Sequence, residues 1–143
     1  MAFIDGYLIV KIDRMTVGEF KSNFDSITVY NKKGELMDDS DYIGTDCTFV
    51  CDACGEVFTV AVIADINGDG KVNSLDYMYV KRYVMGTHKL TGALLAAADV
   101  NVDCKVNVVD YGMEKLHVMY RYDIYENFPE WETIEHLIVE KGA

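Results

Sequence analysis

The chain has 143 residues, half of them apolar, with 24 acidic against 13 basic residues and a net charge of −11. That length makes one ordinary domain or two small ones, and the composition is that of a folded, soluble chain. The negative charge argues against nucleic acid and anionic membrane surfaces as partners, and no apolar run approaches the roughly 18 residues of a membrane span, so no membrane insertion is expected. The first residues lack the basic region and apolar core of a secretory leader, and the sequence reads as a piece excised from a longer chain.

Residues 1–63 read as a small β-rich unit. Gly6, Tyr7, Leu8, Ile9, Val10, Lys11 and Ile12 form an apolar run of strand-favouring residues. Val17, Phe20 and Phe24 then fall at helical spacing, with Thr16 placed to cap the first turn and Glu19 three residues on. Residues 26–30 alternate as a strand does, and Asn31, Lys32, Lys33 and Gly34 supply the turn after it. Asp38, Asp39, Ser40 and Asp41 read as a solvated turn. Residues 48–50 and 57–62 flank a turn at 51–56, which predicts a hairpin.

Cys47, Cys51, Cys54 and Cys104 are an even number, which permits disulfides without requiring them, and four cysteines allow three full pairings. Cys51 and Cys54, followed by Gly55, have the spacing of a zinc knuckle or a redox pair. A structural zinc site uses a second such pair or histidines, and His88, His117 and His136 are scattered, so the bland reading places both cysteines in the hairpin turn, bridged or not.

No linker separates this unit from the acidic loop after it: Ile63 and Ala64 run into Asp65 without Pro, Ser or Gly, so the two parts are expected to pack together. Residues 65–76 read DINGDGKVNSLD. Asp65, Asn67 and Asp69 occupy loop positions 1, 3 and 5, Lys71 the position that offers a backbone carbonyl, Asn73 the position that often acts through water, and Asp76 the closing position 12 of an EF-hand-type loop. Gly70 stands where the loop turns sharply. A hard cation such as Ca2+ takes six or more oxygens at about 2.3–2.6 Å, and this spacing gathers them around one point.

The pattern recurs at an offset of 34 in residues 99–110, DVNVDCKVNVVD, giving Asp99, Asn101, Asp103, Lys105, Asn107 and Asp110 as the second ligand set. Two copies are too few for a stacked array and point to a paired site for two Ca2+. The six loop carboxylates then account for part of the acidity, since two Ca2+ bring the charge from −11 to −7. Cys104 replaces the turn glycine in the second loop. A side chain there costs on the order of 1 kcal/mol or more if φ is positive, which predicts a weaker or distorted second site.

A helix is predicted after each loop. Residues 74–83 carry Leu75, Met78, Tyr79 and Tyr83 on one apolar face, with Gly86 as the stop. A second helix starts near Val108 with Val109, Met113, Leu116 and Tyr120 on one face, and Gly112 inside it suggests close packing. A helical turn is expected at residues 93–98. The tail from Arg121 is aromatic and acidic, with Tyr122, Tyr125, Phe128 and Trp131; Pro129 interrupts any helix before it, and the segment is expected to cover the core.

Residues 65–76 followed by Lys81, Arg82, Tyr83 and Gly86, and the second repeat opening on Ala98, Asp99, Val100 and Asn101, resemble the two repeats of a dockerin. The resemblance covers about residues 65–122, and the β-rich part resembles, more loosely, the X modules often found directly before dockerins. It implies a calcium-dependent adhesion module, secreted or at a bacterial cell surface, that attaches its parent protein to a cohesin on a cellulosomal scaffoldin serving polysaccharide degradation. It also implies partner-facing residues: Ser74, Leu75, Lys81, Arg82 and Gly86 in the first repeat, Val108, Val109, Lys115, Leu116 and Tyr120 in the second. The first set is polar and basic, the second apolar, a departure from the near two-fold symmetry of many dockerins.

The expected fold is therefore α+β: a β-rich module at 1–63 packed on an all-α pair of calcium loop-helix repeats at 64–122, with an extension at 123–143. The alternative is a free-standing calcium sensor or buffer, which would place a helix before each loop; here the apolar β run 57–62 precedes the first. An enzyme with paired carboxylates is the third reading, but most acids are committed to loops and no nucleophile motif or phosphate loop stands out, so no catalysis is expected.

Overall fold

The computed structural model describes residues 2–4, 6–11, 13–101, 105–119 and 123–125. Two short strands open the chain, β1 (Ala2–Ile4) and β2 (Tyr7–Val10), paired antiparallel with Phe3 opposite Leu8. The sequence run at 6–12 pointed to β2; β1 was not anticipated. A five-residue helix α1 (Val17–Lys21) comes next, ending before the expected Phe24. Its start is fixed as the sequence indicates: the Glu19 N–H donates to Thr16 Oγ1 at 3.2 Å, and the Thr16 hydroxyl donates to the Glu19 carboxylate at 3.0 Å.

Strands β3 (Ile27–Tyr30), β4 (Thr48–Cys51) and β5 (Val57–Val62) complete a five-stranded sheet in the order β1-β2-β5-β4-β3. The β4–β5 hairpin and the β3–β4 pair are antiparallel, while β2 and β5 run parallel with Leu8 opposite Val60. Alternation along the two central strands divides the interior. Leu8, Val10, Val60 and Val62 face a core with Val17, Phe20, Val29, Ile43 and Phe49. Ile9 and Ala61 face a second core, which takes in Ile63, Val80, Leu90, Ala97 and Ile124. The sheet is thus shared by both cores, and burial of these apolar side chains on both faces is the main force holding it in place.

The remaining helices are α2 (Ser74–Val84), α3 (Ala93–Ala98) and α4 (Val108–Val118). Small alanines let α3 lie close against β5 and β2, and Ala64 N–H donates to Ala97 O at 2.8 Å, tying the end of the sheet to α3. Helices α2 and α4 touch each other, with Tyr77 and Tyr111 edge to face at 6.0 Å between centroids. The chain is a mixed α and β structure with one sheet and four helices among the described residues.

Met78 does not form a buried face of α2; it is exposed, as is Leu75, which a partner-facing residue must be, and α2 buries Asp76 and Val80 instead. Val109 and Leu116 of α4 are exposed as well, as their partner-facing assignment requires, and Asp110 and Glu114 are buried. The cause is the closing aspartate of each loop, which must turn inward and carries its i+4 neighbour with it. Gly112 does not mark close packing either: nothing lies within 4 Å of where its Cβ would stand.

Candidate metal centre

The first loop, residues 65–76, folds around its own backbone N–H groups. Asp65 is fully buried, and its Oδ2 accepts from Gly70 N–H and Thr45 N–H, both at 2.9 Å. Asp76 is fully buried as well; Oδ1 accepts from Ile66 and Asn67 N–H at 2.9 and 3.2 Å, and Oδ2 from Asn73 N–H at 2.8 Å. Asn73 caps α2 by accepting from Leu75 N–H at 3.0 Å. Asn67 Oδ1 accepts from Asp69 N–H and Asp69 Oδ1 from Lys71 N–H, which curls the loop. The result brings oxygen atoms of Asp65, Asp69 and Asp76 within 4.8 Å of one another.

Two loops of the β-rich part clasp this centre. Arg14 N–H donates to Gly70 O at 2.7 Å, Asp13 accepts from Val72 N–H at 3.2 Å, and Lys32 Nζ donates to Asn67 O at 3.1 Å. The Thr45 hydroxyl bridges the N–H and carbonyl of Val62. The approach is close enough that a Cβ on Gly70, already at φ +79°, would lie 2.7 Å from Ile43 O, and one on Gly44 would lie 2.5 Å from Gly68 O. Thr45, Asp13, Lys32 and Gly44 had no sequence signal, because their role depends on a contact between segments 20 to 60 residues apart.

The second loop repeats the frame. Asp110 Oδ1 accepts from Val100 N–H at 3.0 Å and Oδ2 from Asn107 N–H at 2.9 Å, and Asn107 caps α4 through Val109 N–H at 2.9 Å. Asn101 is half-buried, Asp99 is half-buried and Lys105 exposed. Asp103 and Cys104 lie outside the described residues, and with them the expectation of a strained second turn.

The donor set suits a hard cation. Asp65 Oδ1 in the first loop and Asn101 Oδ1 in the second are buried acceptors without a hydrogen-bond partner. Such orphaned oxygens cost free energy unless something positive meets them, and carboxylate, amide and carbonyl oxygens are the ligands Ca2+ takes. Electrostatics agree: in the metal-free chain burial pushes the Asp65 carboxyl up to about 7, with Asp76 and Asp69 adding to the shift against the opposing Thr45 and Gly70 N–H groups, and burial pushes Asp76 up to about 6.

Both groups start from 3.8 in the unfolded chain, so between about pH 4 and 7 the folded metal-free chain holds more protons than the unfolded one, and its stability falls as pH rises through that window. Calcium-free protein should therefore melt at a higher temperature at about pH 5 than at about pH 7.5. Calorimetry in chelator checks the sign; a melting temperature that rises with pH overturns it.

One further carboxyl is buried close to both loops. Glu114 on α4 is fully buried, both of its oxygens lack partners, and burial raises its pKa well above the usual range, reinforced by Asp76, Asp65 and Asp110. It faces charges from both loops. The repeat offset pairs it with Val80, so an acid at an apolar position of the repeat was the signal available in the sequence. Glu114→Gln should stabilise the metal-free chain by about 1–3 kcal/mol, because a buried, repelled carboxyl is removed. It should weaken calcium binding tenfold or more, about 1.4 kcal/mol, because that carboxylate no longer attracts the cations. Paired melting and calcium titration test this; a variant that shifts metal-free and loaded stability equally reduces Glu114 to packing.

The partner-facing candidates lie outside the centre. Ser74, Leu75, Lys81, Arg82 and Gly86 are exposed, as are Val108, Val109, Lys115 and Leu116. Tyr120 lies outside the described residues. Met78, Met85 and Met119 add exposed apolar surface on the same helices and their ends.

An aspartate-rich loop leading into a capped helix, present twice and packed helix to helix, defines a paired loop-helix module. Residues 63–116 match the family model of the dockerin type I domain, and the chain carries a dockerin module over this stretch. Dockerin domains are non-catalytic, calcium-binding modules that bind cohesins. No curated protein matches the chain. Among the described residues no helix is long and apolar enough to cross a membrane.

Proposed function

We propose that this chain is a calcium-dependent anchoring unit. The dockerin module, residues 64–122, binds two Ca2+ through Asp65, Asn67, Asp69, Lys71, Asn73 and Asp76 and through Asp99, Asn101, Asp103, Lys105, Asn107 and Asp110. Loaded in this way it docks on a cohesin of a scaffoldin and attaches its parent protein to a cellulosome-type assembly for polysaccharide degradation, outside the cell or at its surface. Residues 1–63 act as an X-type module that holds the first loop in shape, and 123–143 extend the module; within that extension 126–143 lie outside the described residues.

The observation that supports this best is the division of labour on α2 and α4. Each capping box turns its aspartate inward toward the loop and leaves apolar neighbours outward, Leu75 at 56%, Val108 at 65% and Val109 at 52% exposure. Apolar side chains exposed on a rigid, loop-anchored surface are what a partner would bury. Binding to a panel of cohesins, with calcium and with chelator, tests the proposal: capture that needs calcium supports it, and calcium binding without capture by any cohesin favours a sensor or buffer instead.

A further inference from the structure

Cys51 ends β4 and Cys54 lies in the turn that leads to β5. The turn is closed by Cys51 N–H to Glu56 O at 3.0 Å and Gly55 N–H to Cys51 O at 2.7 Å. It is also anchored sideways, since the Asp52 carboxylate accepts from the Ser26 and Thr28 hydroxyls at 2.6 and 2.8 Å. The Gly55 N–H bond back to Cys51 O curls residues 51–55 into one turn that carries both thiols, neither of them bridged. The Cys54 thiol, with the N–H groups of Cys54 and Ala53, holds the Cys51 thiol below its ordinary range, whereas Cys51 holds the Cys54 thiol above it. Cys54 is exposed and Cys51 half-buried. Cys47 lies apart from this turn: it is buried, it sits 3.6 Å from Met37 Sδ, and burial raises its pKa.

A closed zinc site needs four ligands. Among the described residues no group of three metal-ligating side chains includes Cys51 or Cys54; the group that forms is Asp65, Asp69 and Asp76. Two free thiols three residues apart on one braced surface turn are placed for sulfur exchange.

We propose that Cys51 and Cys54 form a thiol–disulfide exchange pair acting on small, accessible disulfides, with Cys51 the attacking and Cys54 the resolving sulfur. The Cys51 thiolate attacks one sulfur of the disulfide; a Cys51 mixed disulfide forms, the original S–S bond breaks, and one thiol leaves with a proton from solvent. Cys54, deprotonated to solvent, then attacks the Cys51 sulfur, forms the Cys51–Cys54 bond and releases the second thiol. The pair loses two electrons and two protons, and one disulfide becomes two thiols.

The test treats the calcium-loaded chain with oxidised glutathione and follows intact mass and peptide maps. The expected result is a loss of about 2 Da located at Cys51 and Cys54, without a lasting adduct. Cys54→Ser should trap one glutathione on Cys51, and Cys51→Ser should slow reaction at the turn tenfold or more. Any of three results overturns the proposal: a lasting adduct on Cys51 or Cys54 of the unaltered chain, equal reactivity of Cys47, or a zinc-bridged pair of chains that protects both sulfurs.

Discussion

Chelating calcium from the intact chain should loosen α2 and α4, with a partial loss of helical circular dichroism signal, and leave much of the sheet signal. The reason lies in what the folded module buries. Asp65, Asp76, Asp110 and Glu114 are all fully buried. Backbone N–H groups meet Asp65 only in part, since its Oδ1 finds no donor, and neither do the two Glu114 oxygens. Buried carboxyl groups left short of donors cost free energy or take up protons. Two Ca2+ supply four positive charges where four carboxyl groups gather. Each site adds about 2.7 kcal/mol at a hundredfold excess over its Kd, so about 5 kcal/mol of folding stability is lost with both ions, a large share of what a domain of this size has. The sheet core built on Leu8, Val10, Phe20, Val29 and Phe49 contains no loop residue and should outlast the helices. Hydrogen exchange of α2 and α4 amides checks this, and protection unchanged by chelator would refute it.

Val109→Asp should weaken cohesin binding by about 3–5 kcal/mol while leaving the calcium-loaded melting temperature nearly unchanged. Val109 lies between the capping residue Asn107 and the buried Asp110, so its outward direction is set by the loop itself. At 52% exposure, beside Val108 at 65% and one turn or more from Leu116 at 43%, it has little to lose inside its own module. In a complex, a carboxylate at that spot would be buried unpaired. Arg82→Ala should cost about 1 kcal/mol or less, acting on association rate and salt dependence as rim charges do. Affinity measured beside loaded stability decides: joint loss marks a core residue, and full binding by a folded Val109→Asp removes Val109 from the contact.

The sequence made some parts legible because their causes are local. Thr16 sits at a helix start as a cap, and a cap bonds only to residues two or three away. The loop aspartates were readable for the same reason, since each bonds N–H groups within ten residues apart from Thr45. What stayed hidden depends on distant contacts. The apolar period of α2 pointed to a face of Leu75, Met78, Tyr79 and Tyr83, yet the inward turn of Asp76 selects Val80 for burial. The parallel pairing of β2 with β5 joins segments about 50 residues apart and leaves no local mark. Glu114 was hidden by the ordinary expectation that a glutamate faces water.

Strand β5 has a mechanical consequence. It lies between β2 and β4, and only Ile63 and Ala64 separate it from the first loop aspartate. Its hydrogen bonds to both neighbours run across the strand. Tension entering along the first loop would reach those bonds lengthwise and load them side by side, so they would resist as a set and not open one after another. Such a pull would meet the middle of the sheet before it met an edge.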